Sequence, residues 1–143
     1  MTRNTQLMLG ALVTIIGMIL HTGILLVGRE ILEVTARALE TSHFWIFWSL
    51  TTVAVVLVVL FGHIIQVTLW GCSLLWLKAI ENFDDAIYFA LVTTTTLGYG
   101  DITLGRQYRI FGATGAISGL VTFALSTAFL AENLEYELPP IAG

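Results

Sequence analysis

The chain has 143 residues, of which 57% are hydrophobic and 11% charged, and its formal net charge is -4. Because a soluble domain carries about 25% charged residues on average, this composition excludes a mainly aqueous surface. The acidic balance argues against nucleic acid as a partner, which would need a basic face, and the length allows one domain.

The first predicted element is an apolar helix at residues 7–27, which has the length of about 20 residues that a bilayer crossing needs. No small-x-small cleavage site follows it, so we expect the span to be retained rather than removed as a secretory signal. The next segment, residues 28–43, carries charges at four-residue spacing. One helical face would pair Arg29 with Glu33 and Glu33 with Arg37. The segment is predicted to be either a solvated helical connector or a helix lying on the membrane surface.

Residues 44–77 form a second uncharged run, which as a helix would be about 50 Å long. This exceeds the ~30 Å hydrocarbon core, so we expect the helix to tilt or to emerge at its ends. Tryptophans near both ends and Lys78 after the run are typical of membrane interfaces. Cys72, the only cysteine, excludes an intrachain disulfide and is predicted to be a small buried hydrophobe. A bridge between subunits or a reactive thiol are the alternatives.

The following helix, predicted at residues 84–95, is too short to span a bilayer and is apolar on nearly all sides. Asp84 or Asp85 can cap its N-terminus. A helix that is apolar all round must be buried, and this one leads directly into the segment TLGYGD at residues 96–101. Irregular backbone at membrane depth is tolerated only where it lines a water-filled path or is covered by protein. The pattern therefore predicts a re-entrant loop, before a last apolar span at residues 110–131.

Residues Thr96 to Asp101 closely resemble the T-x-G-Y-G-D signature of potassium channels, and the pattern around them resembles a bacterial two-transmembrane-type pore with one additional N-terminal span. A ring of backbone carbonyls can replace the hydration shell of a cation without fixed charge. Aiming successive carbonyls at one axis needs a backbone conformation that glycine adopts most easily. The resemblance implies a filter that comprises Thr96, Leu97, Gly98, Tyr99 and Gly100. Its K+ sites are implied at the carbonyls of Thr96, Leu97, Gly98 and Tyr99.

The fold implied is an all-α membrane protein with three transmembrane helices, a re-entrant pore helix and a selectivity-filter loop. One copy supplies only a quarter of each carbonyl ring, so a C4 homotetramer is expected, with a pseudo-fourfold assembly of related chains as the alternative. The predicted divisions are an N-terminal transmembrane helix 1–28, a connector 29–43, a pore domain 44–131 and a tail 132–143. Within the pore domain they are an outer helix 44–78, a pore helix 84–95, a filter 96–101 and an inner helix 108–131.

Several residues are expected to support the filter. By resemblance, Tyr88 is spaced to donate a hydrogen bond to Asp101, and Thr95 lies at the filter entrance with Thr96. Leu97 replaces the usual Val or Ile, which retains the carbonyl but changes the packing behind it. Val92 stands where some relatives carry a glutamate paired with the filter aspartate, so that carboxylate pair is absent here. Thr93 and Thr94 are predicted to hydrogen-bond carbonyls one turn earlier.

Three residues are gating candidates. Gly119 is either a hinge of the inner helix or a site of close packing, and Phe129 is a candidate hydrophobic gate. His63 lies mid-membrane, either as a neutral group bonded to a carbonyl or to Gln66, or as a pH sensor. The residues predicted to line the inner cavity are Val121, Thr122, Leu125, Ser126 and Phe129.

The sequence thus predicts a potassium-selective channel that conducts K+ passively across a cell membrane, with a bacterial plasma membrane as the expected location. A weakly selective cation channel and a non-conducting assembly subunit are the alternatives. An enzyme is not expected, because no nucleophile–base pair, carboxylate pair or metal cluster occurs at a workable spacing. The expected partners are further copies of the chain and the lipid bilayer, without nucleic acid or a soluble ligand domain. K+ in the filter is the only bound species expected.

Overall fold

The computed structural model describes residues 1–38 and 44–137, and within those ranges it contains four α-helices and no strand. The helices are α1 (Arg3–Ala38), α2 (Phe44–Trp76), α3 (Phe83–Thr94) and α4 (Arg109–Glu137). Three of them are long and apolar enough to cross a membrane, over Arg3–Val34, Trp48–Trp76 and Arg109–Asn133. The prediction of an all-α membrane protein with three spanning helices and one short helix is therefore confirmed.

α1 continues without a break through most of the segment that the sequence suggested as a separate connector. Residues 29–38 extend the helix, while residues 39–43 lie outside the described part of the chain. Arg29 Nε donates to Glu33 Oε1 at 3.1 Å, a pair spaced four residues apart that favours helix. A helix of 36 residues is about 54 Å long, so it extends beyond the ~30 Å hydrocarbon core.

α2 ends where the backbone adopts a left-handed conformation at Lys78, whose φ is 52°. Lys78 N–H donates to Leu75 O and Ala79 N–H donates to Leu74 O, both at 2.9 Å. These two bonds form a Schellman motif, which satisfies the last carbonyls of a helix. The hydroxyl of Tyr108 donates to Leu77 O at 2.8 Å, so α2 ends with its carbonyls paired.

α3 begins at a different cap from the two expected. Asn82 is the N-cap, and its side-chain oxygen accepts from Asp84 N at 2.7 Å and from Asp85 N at 3.4 Å. Asp84 and Asp85 lie instead in the first turn, where their charges complement the helix dipole.

α3 lies between α2 and α4, and an apolar core holds it there. The rings of Trp70 from α2 and Phe111 from α4 lie 5.2 Å apart at this core. The buried members of the core are Trp70, Leu74, Ala86, Ala90, Leu104 and Phe111. Cys72 is exposed on α2 of the single chain, rather than buried as predicted.

α1 packs against α2 and α4 of its own chain. Two of its glycines allow this close approach, because a Cβ at Gly10 would collide with the Thr114 side chain and a Cβ at Gly28 with Val58. At the end of α1 near the start of α4, Gln6 Oε1 accepts from Ile110 N at 3.0 Å. The first span is therefore built into the helical bundle.

Candidate ion-binding loop

The loop after α3 begins with a second Schellman motif. Thr96 N–H donates to Thr93 O and Leu97 N–H donates to Val92 O, both at 3.0 Å. Thr96 adopts the left-handed conformation that this motif needs, with φ of 60°. For a residue with a Cβ this conformation costs about 1–2 kcal/mol, so the hydrogen bonds at the helix end must hold it in place.

Positive φ recurs at every second residue of the loop. The values are 60° at Thr96, 59° at Gly98 and 78° at Gly100. Glycine adopts these angles without the penalty that a Cβ brings. Reversing alternate residues lets successive carbonyls turn to one side of an extended segment, which is the arrangement that carbonyl coordination of a cation requires.

The loop is uncovered on the single chain. Leu97 is 55% exposed and Tyr99 is 68% exposed, whereas Val92 and Thr94 on the preceding helix are buried. Two large apolar side chains of the loop are thus open to a neighbouring surface in the single chain.

A hydrogen bond connects α3 to the outer end of the loop. Tyr88 Oη donates to Asp101 Oδ2 at 2.6 Å, the contact that the family resemblance implied. This hydrogen bond lowers the pKa of Asp101 below its ordinary value and raises the pKa of Tyr88. Asp101 is therefore an ionised acceptor at neutral pH.

Behind the loop lies an open cavity of about 350 Å³. It lies between α3 and the loop. Among the residues that line it are Tyr88, Val92, Gly98, Asp101 and Arg109. Among the described residues, the Tyr88–Asp101 bond is the side-chain hydrogen bond that links α3 directly to the loop across this cavity.

The threonines before the loop hydrogen-bond to their own helix. Thr94 Oγ1 donates to Ala90 O at 2.8 Å, and Thr95 Oγ1 donates to Leu91 O at 2.7 Å. The back-bonding predicted for Thr94 is present, and Thr95, which we expected at the filter entrance, makes the same kind of bond. Both bonds stabilise the last turn of α3 next to the loop.

Gly119 of α4 lies directly against the end of α3. A Cβ at this position would collide with the carbonyl of Thr94, a backbone group that cannot swing aside. The close-packing alternative for Gly119 thus has a structural basis, and its role as a hinge stays a prediction.

Next to Gly119, Ser118 is held by two donors from α2, a contact that the sequence did not predict. Gln66 Nε2 donates to Ser118 Oγ at 2.6 Å, and Trp70 Nε1 donates to it at 3.1 Å. All three side chains are buried. The sequence signals this contact only through polar residues within the apolar helices α2 and α4. Such residues need hydrogen-bond partners when they are buried.

Ser118, Thr122 and Ser126 form a buried polar stripe on α4. Ser126 Oγ contacts His21 Nε2 at 2.9 Å and His63 Nε2 at 3.2 Å, so the stripe faces α1 and α2. The prediction that Thr122 and Ser126 line an inner cavity is therefore wrong. The same contact shows that Ser126, rather than Gln66, is the partner of His63.

Phe129, the gate candidate, lies less than one turn beyond Ser126 and is half-buried. Val121 and Leu125 are also half-buried. The face of α4 opposite the polar stripe is exposed and includes Ile117, Leu120, Ala124, Thr127 and Ala128.

Helices that cross a membrane, with a short buried helix leading into a loop of alternating φ, define a channel-type pore protein. The family model described as "Ion channel" matches residues 53–136, more than half of the chain. The chain belongs to this ion-channel family.

Relatives support this assignment over the part of the chain that they match. The chain is 50% identical over 48 residues to the hyperpolarization-activated voltage-gated potassium channel of Methanocaldococcus jannaschii, covering 31% of this chain and 23% of that protein. It is 41% identical over 59 residues to the human potassium voltage-gated channel subfamily A member 4, covering 39% of this chain and 9% of that protein. The rabbit subfamily A member 5 has the same identity over 59 residues, covering 39% of this chain and 10% of that protein. No solved structure matches. The chain thus spans less than a quarter of these relatives, and α1 lies outside residues 53–136.

Proposed function

We propose that this multi-pass membrane protein is a potassium-selective channel, which conducts K+ passively through a tetrameric pore. The observation that carries the proposal is the alternation of positive φ at Thr96, Gly98 and Gly100 within a T-x-G-Y-G-D segment. In this proposal the carbonyls of residues 96–99 bind K+ in successive rings, and Gly100 ends the filter. The ions are the permeant species, and the relatives that support the assignment are named as potassium channels.

A homotetramer is proposed because one chain leaves the loop incomplete. Leu97 and Tyr99 are exposed on the single chain, and a neighbouring copy of the same loop would cover them around a fourfold axis. The exposed face of α4, which includes Leu120 and Ala124, would then face the axis or the next copy. A bacterial plasma membrane is the proposed location.

Potassium flux from liposomes that contain only the purified protein tests the function. We expect K+ efflux, a reversal potential close to that of K+ in mixed K+ and Na+ solutions, and a mass of four chains. A reversal potential midway between the two ions would favour a weakly selective cation channel. Absence of flux from correctly assembled protein would favour a non-conducting assembly subunit.

We expect Tyr88→Phe to destabilise the outer end of the filter, since it removes the hydrogen bond to Asp101. The expected result is a K+ current that declines during sustained flux, while the protein still assembles. Tyr108→Phe is the matched control, because it removes a hydroxyl bond to Leu77 O that lies away from the loop. Equal behaviour of the two variants would show that the Tyr88 bond does not support conduction.

The same bond predicts a pH dependence. A carboxyl whose folded pKa is lowered stabilises the folded state above its ordinary pKa of 3.8, and this contribution disappears as pH falls through the lower folded value. The difference in filter stability between wild type and Tyr88→Phe should therefore be constant at neutral pH and become smaller in strong acid. Thermal unfolding of the assembled protein across this pH range measures it.

A further inference from the structure

Two imidazoles from different helices meet at one hydroxyl in the middle of the bundle. His21 on α1 and His63 on α2 place their Nε2 atoms 2.9 Å and 3.2 Å from Ser126 Oγ on α4. The two ring centroids are 5.0 Å apart. His21 is 1% exposed and Ser126 is 3% exposed, whereas His63 is half-buried.

The two histidines have no other ionisable group at their level. Residues 4–28 of α1, 44–76 of α2 and 110–131 of α4 contain no Asp, Glu, Lys or Arg. α3 packs on α2 and α4, and within the described residues it has no comparable contact with α1. The remaining ring neighbour is Phe123 of α4, which stacks on His63 at 4.3 Å.

The hydrogen bonds around Ser126 fix which ring nitrogen of each imidazole carries a proton. Ser126 Oγ donates its single proton to Thr122 O at 2.9 Å. Each histidine must then donate from Nε2–H, so Nδ1 is the site at which a neutral ring would take up a second proton. Nδ1 of His21 is buried without a hydrogen-bond partner among the described residues, next to Gly62. A proton added there would place a charge beside the second ring, whose centroid lies 5.0 Å away.

α1 is also connected to α4 at both ends, but by groups of another kind. Gln6 Oε1 accepts from the amides of Ile110 and Phe111 at the start of α4. Arg29 Nη1 donates to Glu132 Oε1 at 2.8 Å near its end. Neither contact contains a histidine, the side chain whose ordinary pKa lies closest to neutral pH. Mild acid would therefore act on the middle contact alone.

We propose that His21, His63 and Ser126 form a proton-released latch, which holds the middle of the inner helix α4 against α1 and α2 and so keeps the pore conducting. This inference rests on the proposed function. Protonation at Nδ1 keeps the Nε2–H donors but turns both rings into cations 5.0 Å apart, in spans that hold no counter-charge, and their repulsion pushes the three helices apart. The part of α4 around Ser126, beyond the Ser118 contact with Gln66 and Trp70, is then free to move toward its exposed face, which in the proposed tetramer is the side of the pore axis, and conduction falls. The latch gives α1, which lies outside the matched residues 53–136, a regulatory role.

The test is K+ flux from liposomes with equal pH on both sides, measured from pH 8 to pH 5. We expect flux of the wild type to fall about tenfold, the effect of one unit of pKa difference between two states. His21→Gln and His63→Gln keep a donor but do not titrate, so their flux at pH 5 should equal their flux at pH 8. His43→Gln makes the same change outside the described residues and should respond to acid like the wild type. A wild-type flux that is constant or rises in acid, or a response lost in His43→Gln alone, would overturn the latch.

Nitrogen NMR of the wild type with 15N-labelled histidine tests the same latch without any substitution. At pH 8 two of the three histidines should be neutral with the proton on Nε2, and they should gain protons over the range in which flux falls. Rings that stay neutral throughout, or carry the proton on Nδ1, would contradict the latch. Normal K+ flux without an acid response would contradict the latch alone. If both histidines titrate together in a protein that never conducts K+, the proposed function is contradicted instead.

Discussion

Replacing Gly98 with alanine is expected to abolish K+ flux from liposomes. The φ of Gly98 is 59°, and a residue with a Cβ costs about 1–2 kcal/mol in that conformation. Four copies of the loop around one axis would raise this to about 4–8 kcal/mol per tetramer. Because every 1.4 kcal/mol is about tenfold in an equilibrium, the conducting arrangement of the carbonyls should become a minor state.

The cause of this loss can be separated from simple crowding. Within the single chain, no described atom lies within 4 Å of a Cβ built at Gly98, so the penalty in each chain comes from the backbone conformation. Gly23 of α1 is the matched control, since a Cβ there also meets nothing within 4 Å but the residue lies in a regular helix. Gly23→Ala should leave flux unchanged and stabilise the helix by about 0.5–1 kcal/mol. If Gly98→Ala conducted as well as Gly23→Ala, the loop could not be the ion-binding element.

The filter was predictable from the sequence because its chemistry is local. A carbonyl-lined loop needs glycine at alternate positions, and the structure has positive φ at Gly98 and Gly100. The sequence did not predict positive φ at Thr96, since that depends on the Schellman motif that ends α3. The spanning helices were also predictable from local sequence. Each is a long run without charged residues, and the bilayer sets the length that such a run needs.

The faces of the inner helix were not predictable in the same way. α4 is apolar on nearly all sides, so periodicity does not tell which side meets α1 and α2 and which side is left exposed. Ser126 and its partner His21 are separated by 105 residues, and their contact follows only from the packing of α1. The structure also differs from the predicted separate connector at residues 29–43. No glycine or proline interrupts residues 29–38, so α1 continues through them as one helix.

Gly119→Ala is expected to cause the second large effect, a loss of both stability and K+ flux. The atom that a new Cβ would meet is the backbone carbonyl of Thr94, directly before the filter. Ser118 is fixed by hydrogen bonds from Gln66 and Trp70, so α4 is not free to retreat and relieve the collision. Overpacking of this kind typically costs about 1–3 kcal/mol per site, and here it would displace the base of the filter in each copy.

Thermal unfolding of the assembled protein, measured beside flux, separates the two interpretations of Gly119. Gly115 lies one turn earlier on α4, and a Cβ there meets the Thr93 and Trp70 side chains at ordinary distances of 3.4 Å or more, so Gly115→Ala should change little. If Gly119 is required for close packing, Gly119→Ala lowers the unfolding temperature and the flux together. If it acts as a hinge alone, the variant assembles with unchanged stability and differs only in open probability. The collision with a carbonyl that belongs to the helix supporting the filter favours the first outcome, and a fully stable Gly119→Ala protein would rule it out.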